Sequence, residues 1–440
     1  MNLLGEPGVG LSGGPGKPIP SQADLRAARA RVWSLLILLI LVAVAQLLDW
    51  HQSQDAGTGG HGPFPTAFGA GAPLAPEHVV RLKTDGEALE HGLSIRSTDS
   101  GVTAVNVRTG KEYWHYERSN TSFVWSSVRA SDRTVVAGFD DGRLVAIDLR
   151  TGKPLWQVQV QHEPAYRSVE LVGGQAVTGA HGAVRAFAER DGRSLWTAKT
   201  PKSCPEVLVY TVYLLADHLS VVPVICNTAS LKRDGYNLLL GIDNRTGEIL
   251  WQRRTADPEL TDRADEHTLA ASPDPEADSM TVQLLDVNRH GIFPRAAFSP
   301  DTWDAIASGD GIVVSATDYR DGSLDRDTLL RAYSARDGHV AWHLRAPTGQ
   351  EYGTPRIADG RVYVVRQPSL THTDAGRRIR ADLLILDVGT GHLLHTLRLP
   401  AMTTRNDDDG DMTLDVRDIA HGAVSISWRT WEGGLLIATD

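Results

Sequence analysis

AIDLRTGKPLW, residues 146–156, decides how this chain is read. Leu144, Ala146 and Asp148 repeat with a period of two, the spacing of a strand that buries one face. The Asp148 carboxylate can accept bonds from N–H groups of its own turn, and Gly152 supplies a positive φ without steric cost. Trp156, four residues past the glycine, then puts a large apolar side chain on the next strand. These eleven residues therefore predict a tight hairpin, of the three-residue kind with a G1 bulge.

The pattern recurs along the chain. It reads AVNVRTGKEYW at 104–114, AFAERDGRSLW at 186–196, GIDNRTGEILW at 241–251 and AYSARDGHVAW at 332–342, and ILDVGTGHLLH at 385–395 has His395 in place of Trp. The markers are Gly110 with Trp114, Gly152 with Trp156, Gly192 with Trp196, Gly247 with Trp251, Gly338 with Trp342, and Gly391. Five Trp at one offset from five Gly define a repeat, and each such Trp is expected to pack between units rather than to serve as a ligand platform.

Upstream of several copies lies another strand pair: FVWSSVRASDRTVVAGFDDGRLVAI at 123–147, SVELVGGQAVTGAHGAVRAF at 168–187 and TPRIADGRVYVVRQ at 354–367. Each unit thus has four antiparallel strands, which is a propeller blade. The marker glycines are 42, 40, 55, 91 and 53 residues apart. The interval of 91 is wide enough to hide one degenerate blade, with strands at 267–272, 280–287 and 292–298. At the C-terminus the strands 412–420, 423–428 and 435–439 lack a fourth, and HVVRLK at 78–83 could complete them. Joining the two chain ends in one blade would close the ring and remove the exposed sheet edges that an open array would leave. The expected fold is an all-β, eight-bladed β-propeller of four-stranded antiparallel blades preceded by one transmembrane helix. Seven blades is the alternative if 256–300 is an insertion.

Ahead of the repeats, VWSLLILLILVAVAQLL at 32–48 carries no charge and extends to Trp50. As a helix it spans about 25–28 Å, enough for a hydrocarbon layer. Trp33 and Trp50 suit its two interfaces. Lys17, Arg26, Arg29 and Arg31 precede it, and no Lys or Arg follows before Arg81, so the N-terminus is expected in the cytoplasm and the blades outside. A cleaved signal peptide is the competing reading, since Ala43-Val44-Ala45 has the form of a cleavage site. The domain plan is a leader over 1–31, a membrane helix over 32–50, a flexible Gly/Pro-rich linker over 51–76 and the propeller over 77–440.

The chain has 440 residues, 42 Gly, 22 Pro and a formal net charge of −10, and no Lys/Arg run marks its repeat region. Nothing electrostatic therefore recommends nucleic acid as a partner. Cys204 and Cys226 are the two cysteines. On the outer side of a membrane they would form a disulfide, whereas in a reducing compartment they would be free thiols. His181, His218, His290 and His339 lack metal-ligand spacing, and no GxSxG, Walker or HExxH motif occurs. The acidic stretches around Asp407, Asp408, Asp409 and Asp411, and at Asp318, Asp321, Asp325 and Asp327, read as solvated turns. No catalytic residue, cofactor or metal ligand is assigned.

The units AIDLRTGKPLW and GIDNRTGEILW resemble the pyrroloquinoline quinone repeats of quinoprotein dehydrogenases and the related PQQ-like propellers. That resemblance covers most of 78–440 and implies the propeller fold. Family members include dehydrogenases as well as cofactor-free proteins such as the outer-membrane β-barrel assembly scaffold lipoprotein. The dehydrogenase branch implies adjacent cysteines forming a ring over the quinone, a bound Ca²⁺ and a catalytic Asp, whereas here the cysteines are 22 positions apart. The expected function is therefore binding or scaffolding outside the cell membrane, with a protein or envelope component at the loops and lipid around 32–50. A redox enzyme using the propeller funnel is the alternative.

Overall fold

Each copy of the motif forms the third strand, the turn and the fourth strand of one antiparallel sheet. The structure is a computed structural model that describes residues 56–438 apart from 77, 83–87, 120–122, 161–168, 181, 203, 205, 210, 228–235, 256–261, 272–280, 300–305, 317–327, 371–375, 405–412 and 429–433. The leader, the apolar span 32–50 and the two acidic stretches lie outside the described residues. Among those described, no helix is long and apolar enough to cross a membrane.

The described strands make eight sheets of four or five strands and one two-stranded ribbon. In chain order, sheets 1 to 7 occupy residues 88–117, 123–159, 169–199, 206–255, 262–298, 306–345 and 350–398. Sheet 8 joins the chain ends. His78–Leu82 pairs antiparallel with Gly434–Ala438, Val79 opposite Ile437, and completes the strands Leu414–Ala420 and Ala423–Trp428. Sheet 5 covers the wide interval between Gly247 and Gly338, with strands Asp262–Arg263, Thr268–Ala271, Val282–Asn288 and Gly291–Phe298.

Neighbouring sheets meet mostly through their first two strands. Phe123–Ala130 lies against Leu93–Ser97 and against Val169–Val172, and the series continues until Leu414–Ala420 reaches Ala88–Glu90 of sheet 1, so the order closes on itself. First strands therefore converge on an axis and fourth strands face outward, which leaves Leu155, Val340 and Leu393 about half exposed. A hydrophobic cluster fills every junction between consecutive sheets.

The repeat tryptophans tie these junctions. Trp114 Nε1 donates to Leu149 O at 2.8 Å, Trp156 to Glu189 O at 2.7 Å, Trp196 to Asn244 O at 2.9 Å, Trp251 to Asn288 O at 2.9 Å and Trp342 to Val388 O at 2.8 Å. Each indole starts on the fourth strand of one sheet and ends in the third-to-fourth turn of the next. Where the next turn carries the motif glycine, that glycine leaves room for the indole: a Cβ on Gly152 would lie 2.8 Å from Trp114 Cβ, and one on Gly192 would lie 2.7 Å from the Trp156 ring. Gly110, which follows a sheet without such a Trp, has nothing within 4 Å of that position.

Gly110 and Gly152 have φ of 65° and 69°. Alanine at either should therefore cost about 1–2 kcal/mol of left-handed strain, and Gly152→Ala should lose roughly 1–3 kcal/mol more by overpacking Trp114. Urea titration of the two variants measures the difference, and equal losses would contradict this packing role.

Register accounts for the room around each indole. Trp114, Trp156, Trp196, Trp251 and Trp342 lie opposite Ala104, Ala146, Ala186, Gly241 and Ala332, each next to a bulge. Where the fourth strand has Ala296 or His395 instead, the opposing residue is Leu284 or Ile385. The residue opposite is thus small only where the fourth strand carries Trp. The bulge sits at this pair and not in the turn, which differs from the expected three-residue hairpin. In sheet 2 the turn holds four residues, with Gly152 N bonded to Asp148 O and Asp148 N bonded to Lys153 O. Asp148 Oδ1 gathers the amides of Arg150 and Thr151 and the Thr151 hydroxyl in this turn, and the sheet 3 turn closes with the same backbone bonds although Ala188 stands in the Asp position.

Candidate functional site

Antiparallel order gives the ring two different faces. First-to-second and third-to-fourth turns lie on one, the turn face. Second-to-third connections and the links between sheets lie on the other, the loop face.

Along the axis, first strands carry polar groups that bond from sheet to sheet. Arg129 of sheet 2 donates Nε and Nη2 to the Glu170 carboxylate of sheet 3 at 2.9 and 2.6 Å. In sheet 8, Asp418 accepts from Leu89 N of sheet 1 at 2.9 Å, and Asp415 accepts from Thr354 N of sheet 7 at 2.8 Å. His421 Nε2 lies 2.9 Å from Glu90 Oε2 and stacks on His91, with ring centroids 5.4 Å apart. Burial pushes Glu170, Asp418 and Glu90 above their ordinary values, against the opposing effects of Arg129, the Leu89 and Ile419 amides, and His421.

A carboxyl whose folded pKa is raised binds its proton more tightly in the folded state. Its contribution to stability is therefore greatest below the ordinary carboxylate range and declines as pH rises through the raised value. Asp243 and Asp387 act the other way. Burial opposes ionisation of Asp243, but bonds from Arg245 and Arg289 hold it well below the usual range, and Thr390 does the same for Asp387. Their contribution is lost as pH falls through the lowered values. Stability should therefore peak on the mildly acidic side and decline towards neutrality, with Glu90→Gln and Glu170→Gln flattening that decline. Denaturation midpoints at pH 5 and pH 7 test this, and a wild-type midpoint that is higher at pH 7 would refute it.

On the loop face, Arg118 of sheet 1, only 2% exposed, pairs with Asp141 of sheet 2 at 2.9 Å. Over sheet 7, Asp382 pairs with Arg366 at 2.8 Å and with Arg398 at 2.5 Å, and Gln367 links Glu351 to Leu414 N. Burial pushes Tyr352 in this region up to about 12. The ribbon Arg378–Ile379 with Met402–Thr403 stands on the same side. Its Ile379 and Met402 are buried in the cluster shared by sheets 7 and 8, while Arg377, Arg378 and Arg380 are exposed.

Cys204 and Cys226 form a disulfide, both buried in the cluster of sheets 3 and 4 beside Trp196. It joins the segment entering sheet 4 to that sheet's second strand, and closing a loop of this length is worth roughly 3 kcal/mol in the chain-entropy picture. Its cysteines are 22 positions apart, so the chain's cystine is not the vicinal ring of the quinone site. Among the described residues no group of three or more His, Cys, Asp or Glu is placed to hold a metal ion. These residues do not fit a calcium–quinone centre, and no chemical step is assigned through one.

Sequence patterning missed two features. The small residue opposite each Trp was visible as the first letter of each motif copy, Ala or Gly with Trp and Ile with His395. The path of residues 56–76 gives no such signal. Ala56–Thr58 adds a fifth strand to the outer edge of sheet 1, and the residues after it run over the turn face.

The chain matches the family model described as outer membrane protein assembly factor BamB over residues 66–177, 180–288 and 281–418. It is 32% identical over 117 residues to the assembly factor BamB of Burkholderia pseudomallei, a match covering 23% of this chain and 31% of that protein. It is 29% identical over 119 residues to the quinoprotein alcohol dehydrogenase PedH of Pseudomonas putida, covering 23% of this chain and 20% of that protein. Both matches thus span less than a third of the relative's own length. The crystal structure of BamB from Moraxella catarrhalis superposes with a TM-score of 0.51 at 14% identity, over 83% of this chain and 99% of that one. At that identity the likeness concerns the fold alone.

Proposed function

We infer from the family to which this chain belongs, the PQQ-like repeat family of the outer membrane protein assembly factor BamB, that it is a binding or scaffolding propeller. The eight sheets are its eight blades, and the loop face receives a protein partner of the cell envelope. The observation that carries this reading is the contrast between the faces. On the turn face the turns are short, and the third-to-fourth turns of sheets 2, 3, 4, 5 and 7 each seat an indole. On the loop face the connections differ from sheet to sheet, as between residues 316 and 329 or 403 and 414, and the ribbon over sheet 7 exposes its arginines. Non-repeated connections on a rigid frame are where recognition residues gather.

We place the anchor at 32–50, with the N-terminus in the cytoplasm and the propeller outside. Protease added to intact spheroplasts should then degrade the propeller, and full protection would overturn that topology. The partner surface is tested in cells by a photo-crosslinking amino acid at Arg378 on the loop face and at Arg190 on the turn face. Discrete protein adducts are expected from position 378 and none from 190. Adducts from 190 alone, or saturable quinone uptake by the full chain in detergent, would overturn the reading.

A further inference from the structure

The junctions of the ring are not held alike. Indole-to-carbonyl bonds tie sheets 1 to 2, 2 to 3, 3 to 4, 4 to 5 and 6 to 7. Between sheets 5 and 6, Ala296 meets the bare turn at Gly338, and Arg295 reaches Ala335 O. Sheet 8 takes its fourth strand from the other end of the chain, so it has no third-to-fourth turn to receive an indole. Sheet 7 correspondingly carries His395, whose buried Nε2 finds no hydrogen-bond partner among the described residues. Among the described residues the 7–8 junction has an apolar cluster of fifteen buried side chains, including Leu414, Val424 and Ile437. The 8–1 junction has the smallest, with only Leu89, Val107 and Ala423 buried among the described residues.

Residues 61–73 cross the turn face at this weak junction. Phe68 packs against its apolar cluster, and the amides of Phe68 and Gly69 donate to His421 O at 3.0 and 3.1 Å. Gly422 N donates to Gly71 O, and from sheet 1 Arg108 Nη2 donates to Ala67 O with its guanidinium 4.0 Å above the Phe68 ring. The segment then reaches sheet 7, where Ala72 N donates to Asp359 and Tyr363 Oη donates to Pro73 O. We propose that residues 61–73 are a releasable clamp that holds the composite sheet 8 against sheet 1 across their first-to-second turns, at a junction that has no indole bond. Release is favoured by how the segment is held: Pro65 and Pro73 are its only buried residues, Phe64, Phe68 and Ala72 pack half-buried on the sheets beneath, and most of the remainder is exposed and held by single hydrogen bonds. Such a segment opens at lower free energy than the sheets beneath it.

A single substitution can lift it. Gly92 has no positive φ, so alanine there brings no left-handed strain, yet its Cβ would lie 2.5 Å from Thr66 O of the segment. Gly422→Ala is a second wedge, 2.4 Å from Gly69 N. Its φ of 77° is matched by the control Gly311→Ala in sheet 6, with φ of 76° and nothing within 4 Å. Hydrogen exchange of the full chain is read by mass spectrometry. In Gly92→Ala and Gly422→Ala, exchange over 61–73 should rise about tenfold or more together with that over 414–438, while 169–199 stays unchanged. In Gly311→Ala, 61–73 and 414–438 should keep wild-type exchange. Acceleration of 61–73 without 414–438, acceleration of neither in both wedge variants, or the same response in the control would overturn the proposal.

Discussion

Trp114→Ala lowers the unfolding free energy by about 3–5 kcal/mol, the loss expected when a fully buried large aromatic is removed. Trp114 is 0% exposed, and its indole N–H is bonded to Leu149 O inside the junction of sheets 1 and 2. The truncation opens a cavity and leaves that carbonyl without its donor, and the two costs add. Ala104, directly opposite, is too small to fill the space, and Gly152 on the far side has no side chain at all. Trp251→Ala should cost clearly less, because Trp251 is only half-buried although it makes the same kind of bond. Urea unfolding followed by far-ultraviolet circular dichroism ranks the two variants, and a loss at Trp251 equal to that at Trp114 would contradict the packing argument.

Ending the chain after Trp428 should abolish cooperative folding. The deletion removes Gly434–Ala438, the strand between Ala423–Trp428 and His78–Leu82, so His78–Leu82 loses its only ladder among the described residues. It also strips Leu435 and Ile437 from the cluster that seals sheets 7 and 8 and opens two edges in a ring that otherwise has none at that point. Ile437→Ala is the graded form of this test, since Ile437 is 0% exposed, and it should cost about 2–5 kcal/mol. A truncated chain that still unfolds in one sharp transition at the wild-type midpoint would show that closure by the two chain ends is dispensable.

Much of the fold could be read from single strands and turns. Gly152 and Trp156 report a hairpin because the positive φ and the four-residue offset are properties of a contiguous segment. The glycine spacing reported the repeat, and the wide interval marked the place of sheet 5 although no Trp closes it. The bulge lies on the pair Ala146 and Trp156 and not in the turn, and it recurs at Ala186 and Trp196 where Ala188 replaces the Asp, so the Asp of the turn does not set it. The axial bridges were not readable. Glu170 and Asp418 are ordinary acidic letters until sheet order brings Arg129 and the Leu89 amide beside them.

The sequence by itself determined the blade unit, its repetition and the use of both chain ends in one sheet, because each rests on local periodicity and turn chemistry. Only the tertiary structure decided how residues 61–73 lie, which carboxylates bridge sheets, and why His395 replaces Trp where the next sheet has no turn to receive one. The physical reason is distance along the chain. A bond such as that between Tyr363 and Pro73 joins groups 290 residues apart, and no local pattern records a partner that only ring closure supplies.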